Sequence, residues 1–363
     1  MAIITGFPGN NALLQGTQLQ DFIYGNRRGT IDFVAGNDRI FGLAGDDRIA
    51  GDGITITATG RGGNDVIQGG DGDDWIWGDA YQAELDGDGS LFGIGGNDVL
   101  YQNAGTGYLV GDANTLEAGS KGGNDQLYGE GHLIGDSYDD MTSAVGGNDL
   151  VSARSATAGT DLTGDTFDEM FGSSVGGRDK LYGSSFDDQI TGDAWSDMND
   201  ASKGGNDKLW GNGGDDGLWG DGDDLNDVAT GGHDVLRGGA GSDELYGDAY
   251  TLNNFAVGGN DKLYGDAGDD VLWGDGELLD DATGGKDKFF FSGNFGDDQI
   301  LDFRTEDGDQ IVLQGLTQLD VQLSIVTVTD PNDSTLLTTL GDESITLVGF
   351  TGSLTPGVDI VFA

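Results

Sequence analysis

The 363-residue chain contains no cysteine, only 3 prolines and only 2 histidines. Disulfides are therefore excluded, and His132 and His233 are too few and too far apart in sequence to indicate a zinc centre. Basic residues are also scarce, with 16 Lys and Arg against 65 Asp and Glu, which leaves a formal net charge of −49. Nucleic acid and anionic lipid surfaces are disfavoured as partners, because no basic stripe is present to attract a polyanion. Metal cations are the natural counterions.

Long apolar stretches are missing as well. No run approaches the ~18 apolar residues that would span a membrane. The first positive side chain is Arg27, so no Sec-type signal peptide is expected at the start of this sequence. With 36% hydrophobic residues and this charge, the composition lies near that of disordered proteins. The sequence therefore predicts that something besides a hydrophobic core holds the chain together.

Glycine and aspartate are abundant. The 70 glycines and the 57 aspartates (65 acids less 8 Glu) favour turns over helices. The Gly-Gly pairs that open each block begin at positions 62, 95, 122, 146, 176, 204, 231, 258 and 284. Their typical spacing, near 27, corresponds to three nine-residue units, of which two are regular and the third is irregular.

Each regular unit places an acidic turn before a very short strand whose central apolar residue faces inward under two-residue alternation. These inward residues are Ile40, Ile49, Ile67, Ile76, Leu100, Leu127, Leu181, Ile190, Leu209, Leu218, Leu236, Leu245, Leu263 and Leu272. Stacked at ~4.8 Å per rung, they form a thin continuous core. The pattern predicts an all-β parallel solenoid with strands on two faces and periodic loop excursions.

These units resemble a known repeat. Gly-Leu-Ala-Gly-Asp-Asp-Arg-Ile-Ala (42–50) and Gly-Asn-Gly-Gly-Asp-Asp-Gly-Leu-Trp (211–219) are similar to the glycine-rich nonapeptide of RTX proteins. The resemblance implies a parallel β-roll that holds several calcium ions in its turns, in proteins exported by type I secretion systems. Physical chemistry agrees, because superposed carboxylates repel without a cation between them. Calcium also prefers the carboxylate and carbonyl oxygens that such turns offer.

By this resemblance, the calcium ligands are the aspartates at the sixth place of the nonapeptide. They are Asp38, Asp47, Asp65, Asp74, Asp98, Asp125, Asp149, Asp179, Asp188, Asp207, Asp216, Asp234, Asp243, Asp261, Asp270 and Asp287. A second set departs from the pattern, since Asp replaces the second glycine of the motif at Asp52, Asp79, Asp112, Asp136, Asp165, Asp193, Asp221, Asp248 and Asp275. These side chains are either additional ligands or caps of the turn.

One edge of the repeat is interrupted. Gly107, Gly131 and Thr160 stand where an Asp should precede the second strand of the block. We therefore do not expect calcium on that edge between about residues 105 and 165, and we expect those rungs to be the weakest.

Aromatic residues recur in two settings. The irregular third units pair an aromatic residue with a following Met or Leu, as in Tyr138 with Met141 and Phe167 with Met170. They indicate either a binding ridge or a second hydrophobic ladder. Outward rings follow the inward aliphatic residue at Trp77, Tyr101, Tyr128, Tyr182, Trp210, Trp219, Tyr246, Tyr264 and Trp273. These rings either stack between rungs or bind a sugar polymer.

Three segments are expected: degenerate first rungs at 1–30, the calcium-binding roll at 31–288, and a small antiparallel β cap at 289–363. The ending Asp359-Ile360-Val361-Phe362-Ala363 is similar to that of secreted metalloproteases which carry RTX segments. This similarity implies an uncleaved type I export signal, and an ordinary terminal strand is the alternative.

No segment of the sequence combines a catalytic motif with the local structure that the motif requires, and the chain is not expected to be an enzyme. Gly172-Ser173-Ser174-Val175-Gly176 spells G-x-S-x-G but lacks a preceding hydrophobic strand and a following helix. The sequence predicts a secreted, extracellular or cell-surface protein that folds on binding calcium and has a structural, surface-layer or adhesive role. The alternative is an extracellular carbohydrate-binding or carbohydrate-modifying protein. Expected partners are calcium, cell-surface polysaccharide or another surface protein, and the type I secretion apparatus during export.

Overall fold

The computed structural model describes residues 2–7, 11–26, 29–81, 89–315, 343–350 and 354–363, and the backbone of 321–324 and 334–339. The described chain winds as a parallel β-solenoid, and most of its coils contain three short strands that lie on three faces. We number the faces in the order in which a coil passes through them. Within the described part, no helix is long and apolar enough to cross a membrane.

The strands of each face follow one another coil by coil. Face 1 contains Leu13–Gln15, Arg39–Ala44, Val66–Asp71, Val99–Tyr101, Gln126–Tyr128, Leu150–Ser152, Lys180–Tyr182, Lys208–Gly213, Val235–Ala240, Lys262–Ala267, Lys288–Ser292, Gln310–Gln314 and Ile360–Phe362. Face 2 contains Ile3–Thr5, Phe22–Tyr24, Arg48–Ala50, Trp75–Trp77, Tyr108–Val110, His132–Ile134, Asp161–Thr163, Gln189–Thr191, Gly217–Trp219, Glu244–Tyr246, Val271–Trp273, Asp297–Ile300 and Ser344–Val348. Face 3 contains Thr30–Ile31, Thr55–Ile56, Ser90–Leu91, Thr115–Leu116, Met141–Thr142, Met170–Phe171, Gly222–Leu225, Ala249–Leu252 and Glu277–Leu278.

Faces 1 and 2 enclose the main core. Equivalent residues of successive coils pair in parallel register, as Ile49 does with Ile76 and Ile40 with Ile67. Every inward aliphatic residue predicted from the repeat is fully buried in one continuous cluster. The parallel solenoid and its inward column are therefore confirmed. One aliphatic residue per strand suffices because each strand packs on the strand before it, after it and across the coil.

Face 3 differs from the expectation of two faces joined by loops. The irregular third units form their own parallel ladder, with Met141 paired with Met170 and with Leu116. They also bury a separate apolar cluster that includes Met198, Leu225 and Leu252. The inner side of these units is thus a hydrophobic ladder. Its strands are only two to four residues long and lack the nonapeptide spelling, so the repeat pattern does not reveal them.

The outward rings stack between coils. Tyr101 lies on Tyr128 with ring centroids 5.2 Å apart, and Tyr182 lies on Trp210 at 4.4 Å. Trp77 is an exception to the expected exposure, because Tyr81 stacks on it at 3.6 Å and the Trp77 side chain is fully buried. Cross-coil stacking therefore accounts for these rings on most of the surface.

The C-terminal strands combine two kinds of pairing. On face 1, Gln310–Gln314 continues the parallel ladder from Lys288–Ser292, and Ile360–Phe362 pairs with it. On face 2, Ser344–Val348 pairs antiparallel with Ser334–Thr339, which pairs antiparallel with Val321–Ser324. Residues 316–320, 325–333, 340–342 and 351–353 of the predicted cap lie outside the described residues, and the role of this segment as a cap stays a prediction.

Candidate metal centre

A first column of aspartates stands where the chain enters face 1, and we call it the front column. Its members are Asp38, Asp65, Asp98, Asp125, Asp149, Asp179, Asp207, Asp234, Asp261 and Asp287. Each backbone N–H donates a hydrogen bond to Oδ1 of the Asp one coil further on, at 2.6 Å from Asp38 to Asp65 and 3.0 Å from Asp287 to Asp309. One oxygen of each carboxylate therefore joins the coils together. The other, Oδ2, is left for another partner.

The aspartates that replace the second glycine of the motif form a back column, where the chain leaves face 2. Its members are Asp52, Asp79, Asp112, Asp136, Asp165, Asp193, Asp221, Asp248 and Asp275. Each accepts a hydrogen bond from a glycine N–H at the start of the next turn, as Asp52 does from Gly63 and Asp79 from Gly96, both at 2.8 Å. The interpretation of these residues as turn caps thus describes one oxygen of most of them and both oxygens of Asp165 and Asp193.

The front and back columns face each other across a narrow space, which we call the throat. The throat separates the main core from the core of face 3. Three groups of acids bring their oxygens within 4.8 Å of one another: Asp38 with Asp52 and Asp65, Asp79 with Asp98 and Asp112, and Asp112 with Asp125 and Asp136. Each group joins both columns. Both interpretations of the back column are therefore compatible, since its residues cap the turn and also face the candidate ligands.

Many throat oxygens are buried without a hydrogen-bond partner among the described residues. They include Oδ2 of Asp65, Asp98, Asp125, Asp149, Asp179, Asp207, Asp234, Asp261 and Asp287, and Oδ1 of Asp79, Asp112 and Asp136. A buried carboxylate oxygen with no donor costs several kcal/mol unless a cation or a proton meets it. Because unpartnered carboxylate oxygens recur in coil after coil, they indicate a row of cation sites along the throat.

Burial dominates the electrostatics of the throat. It raises the pKa of Asp125 and Asp149 well above the ordinary value, and the neighbouring front-column carboxylates raise them further. The same two causes, in the same order, raise the pKa of Asp248. These groups cannot all be ionised at neutral pH without added positive charge, because each charge would be desolvated beside others of the same sign.

Glycines form the walls of the throat. A Cβ on Gly78 would lie 2.1 Å from Oδ2 of Asp98 and 1.8 Å from the carbonyl oxygen of Gly111. A Cβ on Gly95 would lie 1.9 Å from Oδ1 of Asp112. Any other residue would fill the space in which the carboxylates meet, so the glycine content follows from the chemistry of this site as well as from its turns.

A third column lines the corner between faces 1 and 2, and we call it the edge column. Its members are Asp47, Asp74, Asp188, Asp216, Asp243 and Asp270. The same inter-coil ladder joins them, with the N–H of Asp216 donating to Asp243 at 2.8 Å, and most of their Oδ2 atoms also lack a partner among the described residues. Burial raises the pKa of Asp47 to about 6 and those of Asp74 and Asp216 to about 7. The edge column is thus a second, milder candidate site.

The edge column is broken where the sequence predicts. Gly107 and Gly131 offer no side chain, and Thr160 contributes only its N–H, which donates to Asp188 at 2.7 Å. Aromatic rings follow these positions instead: Tyr108 stacks on His132 with ring centroids 4.5 Å apart, and Trp75 contacts Tyr108 at 4.6 Å in a tilted geometry. The throat continues through the same coils, because Asp112, Asp136 and Asp165 are all buried there.

Nitrogen donors stand at both ends of the throat. At the N-terminal end, the position of the back-column acid is taken by Asn26, whose amide donates to Asp52 and to Asp38 Oδ2 at 3.3 Å. At the C-terminal end, the Arg304 guanidinium lies 3.1 Å from Oδ2 of Asp275. The protein itself therefore supplies the donors at the two terminal coils.

Sequence reasoning missed four members of these columns. Asp21 and Asp298 extend the edge column. The N–H of Asp21 donates to Asp47, and Asp298 accepts from the N–H of Asp270. Asp309 extends the front column, and Asp302 extends the back column by accepting from the N–H of Gly274 and Asp275. The pattern Asp-x-Ile-x-Gly at 21–25 and Asp-x-Ile at 298–300 and 309–311 could have revealed three of them.

The donor set fits calcium. The throat offers carboxylate and backbone carbonyl oxygens, and the groups of acids that could hold an ion within the described residues consist of Asp alone. Calcium accepts six to eight oxygens in flexible geometry, whereas zinc prefers imidazole or thiolate and magnesium retains water. The front and back columns would hold the ion in the throat, and the edge column would hold it at the opposite corner.

Comparison with known proteins agrees with this chemistry. The family model of the RTX calcium-binding nonapeptide repeat (4 copies) matches residues 34–53, 57–80, 174–194, 202–224, 228–249 and 255–277. The largest unmatched interval within the solenoid, 81–173, contains the break in the edge column. A search of curated proteins gives no match. The chain therefore contains RTX-type calcium-binding nonapeptide repeats, and the segments that carry them lie within the β-solenoid.

Proposed function

We propose that the protein is exported and folds on binding calcium outside the cell, where the solenoid has a structural, surface-layer or adhesive role. The observation that carries this proposal is the throat, a continuous file of buried carboxylates with unpartnered oxygens. Burying these charges is too costly without a counterion. Calcium binding and folding are then one process, since the ligands come together only in the folded coil.

The proposal gives the charge a role in export. Where calcium is scarce, as in the cytosol, a chain of net charge −49 repels itself and stays expanded, which suits passage through a type I secretion apparatus. Where calcium is plentiful, binding to the folded state alone shifts the equilibrium towards the solenoid. Folding is thereby delayed until export is complete.

Far-UV circular dichroism and hydrodynamic radius, measured on purified protein titrated from chelator into calcium, test the proposal. We expect a cooperative gain of β signal and a loss of radius in calcium, and a much weaker response to magnesium at the same concentration. A chain equally compact in chelator would overturn it. An equal response to magnesium would overturn the assignment of the metal.

The proposal assigns the chain no catalytic role. Its partners are calcium and components of a cell surface, either polysaccharide or protein. Substrate turnover by purified protein, abolished by a point substitution that leaves calcium binding intact, would contradict this part.

A further inference from the structure

We propose that a cleft between faces 2 and 3 binds one neutral pyranose ring of a glycan. The cleft has a volume of about 210 Å³ and is lined by Gln189, Thr191, Trp195, Ser196, Trp219 and Asp223. None of the residues that line the cleft belongs to the front, back or edge column, and the inference goes beyond the calcium-driven folding proposed above.

The cleft lies where two aromatic stacks end. On the turn that leads from face 2 into face 3, Phe167 stacks on Tyr138, and Trp195 stacks on Phe167, each at 5.6 Å between centroids. Along face 2, Trp219 stacks on Tyr246 at 5.8 Å with the rings only 2° from parallel. Each stack follows the solenoid axis, and the face-2 stack starts one coil after the stack on the turn stops.

Small side chains make the opening. Thr191 pairs in register with Trp219 of the next coil, so face 2 changes there from a small side chain to a large ring. The Trp219 ring lies over Gly217, where a Cβ would come within 2.6 Å of it. The two tryptophans make no ring contact with each other, although both belong to the described residues. Trp195, the last ring of one stack, and Trp219, the first ring of the other, therefore each have one side that borders the cleft.

The polar groups around the cleft suit hydroxyl groups. Asp223 offers a carboxylate, Gln189 an amide, and Thr191 and Ser196 hydroxyls, and the backbone N–H of Asp223 is fixed by the carbonyl of Ser196 at 2.8 Å. A pyranose presents C–H groups that pack on aromatic faces and hydroxyls that pair with such groups at its rim. A small number of polar groups that converge around an apolar surface is typical of small-ligand sites.

The charge selects a neutral sugar. Asp223 lines the cleft, Asp197 and Asp224 lie close enough to interact with it or with each other, and the chain carries a net charge of −49. Uronic acids, sulfated sugars and nucleotides are repelled by this field. The ligand class that remains is a neutral sugar, either a hexose or an N-acetylhexosamine, because one such ring is of suitable size for the cleft.

The experiment is an array of neutral and acidic oligosaccharides probed with the calcium-loaded protein and its variants. We expect neutral glycans to bind, and Trp195→Ala and Asp223→Ala each to weaken that binding by about tenfold or more. Trp210→Ala is the matched control, because Trp210 also stacks across coils, on Tyr182, but belongs to face 1. It should bind as the wild type does.

Circular dichroism in calcium accompanies each variant, so that loss of binding counts only for a folded chain. Failure of the folded wild type to bind any neutral glycan would overturn the proposal. So would a preference for acidic glycans, or an equal loss in the Trp210→Ala control. None of these outcomes touches the calcium-dependent folding, which is measured without a glycan.

Discussion

The throat and the edge column use the same amino acid, yet only the throat runs unbroken along the repeats. The throat has a wall of carboxylates on each side, and its members are buried between two apolar cores. The edge column has one wall and lies nearer the surface. Where the edge loses its acids at Gly107 and Gly131, the stacked rings of Tyr108 and His132 follow instead. The comparison indicates that each coil needs the throat, whereas rings can replace the edge.

The largest expected effect comes from removing metal at different pH values. Because burial raises the folded-state pKa of these acids, to about 7 at Asp216 and Asp243 and further in the throat, ionising them destabilises the metal-free fold. Its stability should be greatest below the ordinary Asp pKa of about 3.9 and should fall as the pH rises from there through the folded-state values near 7.

The measurement is circular dichroism in chelator from pH 4 to pH 8, at low protein concentration because the sequence pI is about 4.1. The same series in excess calcium is the control and should change little above pH 6. A chelated chain whose β signal is constant, or rises with pH, would contradict the electrostatic account.

The next effect separates the two sites within one coil. Asp207→Asn changes the throat and Asp216→Asn changes the edge, and each substitution keeps the Oδ1 acceptor for the N–H one coil earlier, at 2.7 Å in both cases. In calcium, we expect the throat variant to lose roughly 3 kcal/mol, since it leaves a deeply buried site short of charge. The edge variant should lose about 1 kcal/mol.

Thermal unfolding in calcium measures this difference, and the calcium concentration at the folding midpoint gives a second readout. In chelator the order should reverse, because Asp207→Asn removes a repelling charge from the throat. Equal losses in calcium would mean that the two columns are equivalent, and the distinction between throat and edge would have to be abandoned.

Much of this arrangement could be predicted from the sequence, because a repeat superposes like residues. The inward column from Ile40 to Leu272 and the front and edge aspartates follow from position within the nonapeptide. The throat could not be predicted, since it depends on Asp52 and its equivalents meeting acids that lie 12 to 19 residues further along the chain, across a third face. That face is built by Met141, Met170 and similar residues in strands too short to show a period. Asn26 and Arg304 are single departures that no repeat pattern contains.

A smaller effect is expected from repairing the edge. Thr160 already has a buried side chain beside Asp188, so Thr160→Asp should extend the edge column by one rung and lower the calcium concentration needed for folding by about two- to threefold. Gly107→Asp is the contrast. A Cβ there would lie 1.7 Å from the carbonyl oxygen of Asp74, so this variant should be destabilised. Calcium titrations followed by circular dichroism compare the two, and improvement by both would show that the backbone at Gly107 adapts.

The smallest effect on stability is expected at the C-terminal end of the throat, where the number of bound calcium ions can be counted. Arg304 lies 3.1 Å from Asp275, whose side chain is only 2% exposed, so its guanidinium occupies the position of a counterion. Arg304→Gln should free this carboxylate for one additional calcium ion, whereas Arg304→Lys keeps the charge and should leave the count unchanged. Native mass spectrometry of the calcium-loaded variants measures the count. An unchanged count in Arg304→Gln would mean that the file of ions ends before Asp275, and that Arg304 only completes the packing of the last coils.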